Sequence, residues 1–374
     1  MEVAPRWTET EAWDWYNAQG WIMGANFVPS TASNQLEMWQ QDYWNASVID
    51  RELAWASSMK FNSIRVFLHN LIWEYEGEEY LDRIDQFLEI CASHNIRPMF
   101  VFWDGCWDPN PHYGKQPEPR PHVHNSRWVQ SPGRTALENE TITLKPYIQS
   151  VLRRFGNDTR VLLWDLFNEP DNPNTDSYGS GTTPSVPAAA DAAGTELPAD
   201  LKIKYSLKLL NSTMSWARAV GPLRTPLTVP FYRGEDISIQ NWIVRNVDII
   251  SFHNYYDALS GMMTQTKNLL KTYKRPVICT EYLARTENSN FNPILGYLHS
   301  EGVWAFNWGL VSGRSQAIYP WDSWTTEYDA EPQTWFQDVL RPDGTPYRDK
   351  EYRYIGRVDT ITSIWLVLYW LAFA

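Results

Sequence analysis

The chain has 374 residues, 43% of them apolar, and a formal charge of -12, so it holds ample core material for one large domain or two ordinary ones. With no basic tract to offset that charge, the balance argues against nucleic acid and against anionic membrane surfaces as partners, and neutral ligands stay open. The 21 Trp, 20 Tyr and 14 Phe fit either a ring-rich core or flat platforms for stacking sugar rings.

Taken in order, apolar β-branched or aromatic runs alternate with amphipathic helical patterns. The pattern predicts strands at 21–28, 63–68, 97–103, 161–167, 227–231, 247–252, 276–280 and 303–308. Helices are predicted at 47–60, 80–95, 144–155, 199–220, 237–245, 261–273, 293–300 and 332–340. Strands without polar alternation, each followed by a helix, imply a parallel sheet covered on its outer side. Eight such repeats predict an α/β fold of the (β/α)8 TIM-barrel type, one domain over 1–345 with a C-terminal extension at 346–374. A doubly wound sheet would carry a glycine-rich loop after its first strand, where this chain has Pro29-Ser30-Thr31.

Two connections are much longer than ordinary βα loops. Residues 104–144 are rich in Pro, His, Asn and Trp, and 171–198 in Asn, Pro, Gly, Ser, Thr and Ala. In a barrel both rise over the C-terminal face; the Ala-rich piece at 187–194 is read as an excursion rather than a wall. Cys91, Cys106 and Cys279 are an odd number without metal-ligand spacing; Cys91 and Cys279 read as small buried hydrophobes, and neither a disulfide framework nor a zinc site is implied.

The start, MEVAPRWTETEAW, shows no apolar signal-peptide core. Asn45, Asn139, Asn157 and Asn211 each begin an Asn-x-Ser/Thr triplet, a weak pointer to an extracellular or cell-surface protein. The last eleven residues, IWLVLYWLAFA, are apolar but too short for a full membrane span. A truncated span, the remnant of a cleaved anchor signal and a packed helix all fit, so membrane association of this tail stays open.

The chemistry concentrates at two places. VLLWDLFNEP, 161–170, ends an apolar run in Asn168-Glu169-Pro170, and Pro170 stops regular pairing there. PVICTEY, 276–282, repeats the design and presents Glu281. Two buried-type strands that each deliver a glutamate to the same sheet end match acid and nucleophile work on a glycosidic bond. In a barrel the strand ends converge, and here they carry Arg65, Trp103-Asp104, Asn168-Glu169, His253 with Tyr255, Glu281 and Trp308.

In this set Glu281 is the expected nucleophile, kept ionised by Arg65. Glu169 is the expected general acid, its pKa raised by the ionised Glu281 and by aromatic surroundings. Asn168 is placed to bond the sugar 2-hydroxyl, His253 and Tyr255 to tune both carboxylates, and Trp308 to form the floor. Asp104, Trp107, Trp128, Trp321 and Trp324 are expected to line the cleft, with Arg314 and Asp322 adding polar contacts from the loop after strand eight. Any one of these residues alone is most often a solvated, structurally paired or core side chain. Six of eight strands delivering a polar or stacking residue at one end is harder to dismiss.

The motifs SIRVF (Arg65), LFNEP (Asn168, Glu169), SFHNYY (His253, Tyr255), ICTEY (Glu281) and AFNWGL (Trp308), in that order, resemble clan A of the glycoside hydrolases, most closely family five, the cellulases and mannanases. The resemblance covers about 21–340. It implies a retaining double displacement on a β-linked glucan, mannan or related carbohydrate and no metal or organic cofactor; a monomer is the separate expectation. The long loops fit a closed pocket for exo cleavage or one wall of an endo groove, and endo action is the expectation. One departure is visible: the family usually places a histidine at the end of strand three, where this chain reads FVFWDGCW, so Trp103 or Asp104 takes that place.

Two other readings carry features of their own. A barrel that binds carbohydrate without cleaving it lacks support, because both glutamates and Arg65 are present. A metal-dependent barrel hydrolase is prompted by His122-Val123-His124, yet in such barrels that pair ends the first strand. Here it lies among prolines in the loop after strand three, where hydrogen bonding within the loop is expected.

Overall fold

Eight strand positions, all parallel, form the frame in a computed structural model that describes residues 4–174, 196–232, 237–256 and 258–358. They are β1 Met23–Asn26, β2 Ser63–Phe67, β3 Arg97–Asp104, β4 Leu163–Asn168, β5 in two pieces (Leu227–Thr228 and Pro230–Phe231), β6 Ile250–His253, β7 Val277–Tyr282 and β8 Trp304–Trp308. Neighbours pair in chain order, and β8 returns to β1 with Met23 opposite Ala305 and Asn26 opposite Trp308. The first piece of β5 pairs with β4 and the second with β6. Pro230, which has no N–H to give a ladder, sits where the strand changes partner. The chain is a (β/α)8 TIM barrel.

Helices Ala46–Ser58, Glu78–Ser93, Leu144–Phe155, Ala199–Arg218, Ile237–Asn246, Ala258–Tyr273 and Phe291–Ser300 follow strands one to seven. Each places an apolar face on the outer side of the sheet, which is why the strands read as continuous apolar runs: both of their faces are buried. The expected helix at 332–340 does not form. Its apolar spacing, with Trp335, Phe336, Val339 and Leu340 all buried, mimics a helical face. Its backbone instead bonds the loop after β8, Phe336 N to Ile318 O at 2.8 Å and Leu340 N to Leu310 O at 2.9 Å. The eighth helix comes later, at Asp349–Ile355, and packs on Phe291–Ser300 with Arg285 paired to Glu351 at 2.7 Å. Part of the segment set apart at 346–374 therefore lies on the barrel.

The N-terminal mouth is closed by a helix that the strand-and-helix pattern did not announce, Glu9–Ala18, started by a Thr8–Glu11 capping box. Tyr16 stacks on Trp304 with centroids 4.3 Å apart and joins Met99, Leu163, Ile249 and Ile278 in the lower barrel interior. Among the described residues no helix is long and apolar enough to cross a membrane. The apolar tail at 364–374 and the Ala-rich piece at 187–194 lie outside the described residues.

Candidate active site

Strand register sets the heights of the functional side chains. Asn26 and Trp308, the last residues of β1 and β8, stand level with Arg65 in the middle of β2, and Asp104 faces Asn168 across β3 and β4. Between β6 and β7 the register slips after Phe252, so that His253 stands opposite Glu281. Such a slip re-aims a side chain, and here it turns His253 toward both glutamates.

Arg65 is fully buried and holds the cluster together. Nη1 donates to Glu281 Oε1 at 2.7 Å and to Asn26 Oδ1 at 2.8 Å; Nη2 donates to Asp165 Oδ2 and to Asn168 Oδ1, both at 2.7 Å. A buried guanidinium needs such partners for its donors, and two carboxylates supply the countercharge. Tyr255 donates its hydroxyl to Glu281 Oε2 at 2.6 Å. Both oxygens of Glu281 are thus held by donors that favour its charged form.

Glu169 stands one residue past β4 with φ 46°, in the left-handed region that swings its side chain back over the barrel mouth. Oε1 lies 2.6 Å from His253 Nδ1, and Oε2 accepts from Asn172 Nδ2 at 2.7 Å and from Cys106 Sγ at 3.1 Å. Oxygens of Glu169 and Glu281 and a nitrogen of His253 lie within 4.8 Å of one another.

Burial pushes both glutamate carboxyls above the ordinary range, and the charge of Glu169 pushes Glu281 further. The direct ion pair with Arg65 and the Tyr255 hydroxyl act on Glu281, so of the two it is the one that holds its charge. Burial, more than the neighbouring carboxylate invoked from sequence, keeps Glu169 protonated to higher pH. Burial also takes the His253 ring down to about 3, so the imidazole is neutral and a single proton lies between it and Glu169.

Over this cluster opens a cavity of about 920 Å³. Glu169, Glu281, Asn168, His253, Tyr255, Trp308 and Trp321 all line it, as do Trp107 and Cys106. Amides and hydroxyls on the far side, among them Asn254, Thr264, Gln265 and Asn268, extend it over the helix Ala258–Tyr273. Among the described lining residues the two glutamates are the only charged ones, since burial holds His124 down at about 4.

Several expected cleft residues stand elsewhere. Trp103 is fully buried on the outer side of the sheet, its Nε1 bonded to Thr213 at 2.8 Å and its ring against Tyr147. Consecutive strand residues face opposite sides, so only one of Trp103 and Asp104 can turn inward, and Asp104 does. Asp104 is buried beneath the cavity wall, where it accepts from Asn168 Nδ2 at 2.9 Å and Trp128 Nε1 at 2.6 Å. Burial raises its carboxyl to about 6. Trp128 and Trp324 are buried behind the lining; Trp324 stacks on Trp107 at 5.3 Å, and Trp128 packs edge-on to Trp308 at 5.5 Å. Arg314 is paired with Glu37 and Glu118, and Asp322 accepts from Tyr328, so both brace loops. His122 and His124 each spend Nδ1 on a loop carbonyl, of Tyr328 at 2.6 Å and Tyr319 at 2.8 Å.

Four residues of the cluster went unread. Asp165 was visible as the one charge inside VLLWDLF, and Asn26 as the polar end of β1. Asn172 and Cys106 carried no signal, because their place depends on the paths of two loops.

No family model matches the sequence, and no curated protein matches it. Solved structures do. A β-glucosidase is 14% identical, with 91% of this chain and 98% of that chain covered and a TM-score of 0.55. The β-1,4-mannanase of the common sea hare Aplysia kurodai is 16% identical over 77% of this chain and 88% of that one, TM-score 0.52. A GH5 xyloglucan-specific endo-β-1,4-glucanase from a metagenomic library, in complex with cellotriose, is 15% identical over 94% and 99%, TM-score 0.53. What the chain shares with these proteins is the fold, a (β/α)8 barrel.

Proposed function

We propose that this protein is a retaining β-glycoside hydrolase acting on a neutral β-linked glucan- or mannan-type carbohydrate. The observation that carries the reading is the pair Glu169 and Glu281, with oxygens within 4.8 Å in an otherwise uncharged cavity. Retaining enzymes set their carboxyl groups about 5–5.5 Å apart, whereas inverting enzymes leave about 6.5–9.5 Å for a water. The fold shared with a mannanase and a glucanase supports the class.

In the first step a Glu281 oxygen bonds the anomeric carbon as the glycosidic C–O bond breaks, and Glu169 gives its proton to the leaving oxygen. In the second, Glu169 takes a proton from water, whose oxygen displaces Glu281 from the same carbon. Asn168 lies at the cavity wall with its Oδ1 fixed by Arg65 and its Nδ2 shared between Asp104 and, at 3.5 Å, the Cys106 sulfur, and a sugar 2-hydroxyl takes the place of that long contact to sulfur. Trp308 provides the floor and Trp321 a second stacking face. A cavity of about 920 Å³ has room for several sugar rings, which favours endo cleavage. A polymeric substrate places the enzyme outside the cell or at its surface.

The test is product analysis on β-glucans, mannans, xylans and galactans with wild type beside two variants. Glu281→Ala abolishes turnover, and azide partly restores it by standing in for the nucleophile. Glu169→Ala spares the glycosylation step on substrates with activated leaving groups, which need no acid. Wild-type activity of either variant on an unactivated polymer would refute the roles.

A further inference from the structure

The loop leaving β3 sets Cys106 against Glu169. Its Sγ lies 3.1 Å from Oε2, while Asn168 Nδ2 at 3.5 Å and Asn172 Nδ2 at 3.4 Å point at the same sulfur. The two amides occupy the acceptor side of the sulfur, which leaves the thiol proton directed at the carboxylate. The loop has little freedom to move away. Cys106 N donates to Asp104 Oδ1 at 3.0 Å, and a Cβ on Gly105 would collide with the Glu169 carbonyl, so the backbones of the two loops are in direct contact. Burial and the charges of Glu169, Asp104 and Glu281 push the thiol well above its ordinary range, so it stays protonated and able to donate.

We propose that Cys106 is a positioning residue for the acid/base carboxyl, its thiol fixing the orientation and proton affinity of Glu169 through Oε2. This rests on the reading of Glu169 as the acid/base. The other groups facing Glu169 come from every side. His253 of β6 meets Oε1, Glu281 approaches from β7, Arg65 from β2, Asp104 from β3 and Lys202 from the helix Ala199–Arg218. Among the described residues, Oε2 takes its hydrogen bonds from Cys106 and Asn172. A thiol is a weak donor. It steadies the carboxylate without holding the charged form as tightly as a hydroxyl would, which leaves in place the upward shift that burial gives the Glu169 carboxyl.

The experiment titrates the Glu169 carboxyl by NMR in protein carrying 13C-labelled glutamate, with the signal assigned by its loss in Glu169→Gln. It needs no substrate, so its outcome is independent of whether hydrolysis is found. A donor to a carboxylate favours the charged form, so Cys106→Ala raises the midpoint, by about half a pH unit. Cys106→Ser, close in shape and able to donate, brings the midpoint back to the wild-type position or below it. In an active enzyme the alkaline limb of kcat/KM moves with the midpoint. An unchanged or lowered midpoint in Cys106→Ala overturns the proposal. So does a rise in Cys106→Ser, which decides the matter even where the alanine variant does not fold.

Discussion

At Glu281 two donors do different work. Arg65 supplies full charge, shared with Asp165 on the same guanidinium, while Tyr255 supplies a single phenolic O–H from the rim at 2.6 Å. Burial drives the Tyr255 hydroxyl well above its ordinary pKa, so it donates across the working pH range. Donation to the charged form lowers a carboxyl's pKa, and removing the donor must raise it. Tyr255→Phe therefore moves the acid limb of kcat/KM to higher pH, by about half to one unit, and lowers kcat below that limb more than above it. A pH–rate profile of the two proteins checks this; an acid limb that stayed in place would remove Tyr255 from the tuning of the nucleophile. At this scale, what a linear pattern can carry was legible: a charged or aromatic residue that interrupts or ends an apolar run, Arg65 in the middle of β2 and Glu169, Glu281 and Trp308 at or beside strand ends. Trp103 was misplaced because sequence names the end of a strand without saying which of two successive side chains turns inward. Cys106 and Asn172 stayed hidden because each sits on an irregular loop.

Among the elements, the helix Glu9–Ala18 shows how the end opposite the site is sealed. The Tyr16 hydroxyl donates to Gly302 O at 2.8 Å and accepts from Trp304 N at 3.1 Å, tying the helix to the start of β8 while its ring covers the lower core. Tyr16→Phe keeps the stack but takes the hydroxyl away from the Gly302 carbonyl and from the buried Trp304 N–H. It costs about 1–3 kcal/mol in denaturant unfolding, with kcat of the folded enzyme unchanged because the reacting groups lie at the other end of the strands. A fall in kcat at full folding would mean that the two ends are coupled. Thr8 and Glu11 spelled the start of this helix in the sequence, but short polar surroundings hid its apolar face. The error at 332–340 has the opposite origin. There the apolar spacing was helical, and backbone bonds to the loop after β8 decided the structure instead. Both outcomes follow from tertiary partners that local pattern does not register.

On the scale of the whole molecule, charge and site are kept apart. The whole chain carries a formal charge of -12, while the cavity presents no charged group among its described lining beyond Glu169 and Glu281. Fields from exposed charges are screened beyond about 8 Å at physiological ionic strength, and a neutral glycan has no charge for them to act on. The KM for a neutral β-glucan or β-mannan is therefore expected to change by less than about twofold between 0.05 and 0.5 M salt. A polymer bearing uronic acids meets the same field as a like charge, so its binding is weak at low salt and strengthens as salt is added. Steady-state kinetics on one neutral and one acidic polymer, each at low and high salt, separates the cases. Strong salt dependence on the neutral polymer would mean that exposed charges reach the bound chain. It would shift substrate recognition from the amide- and ring-lined cavity to the loops around it.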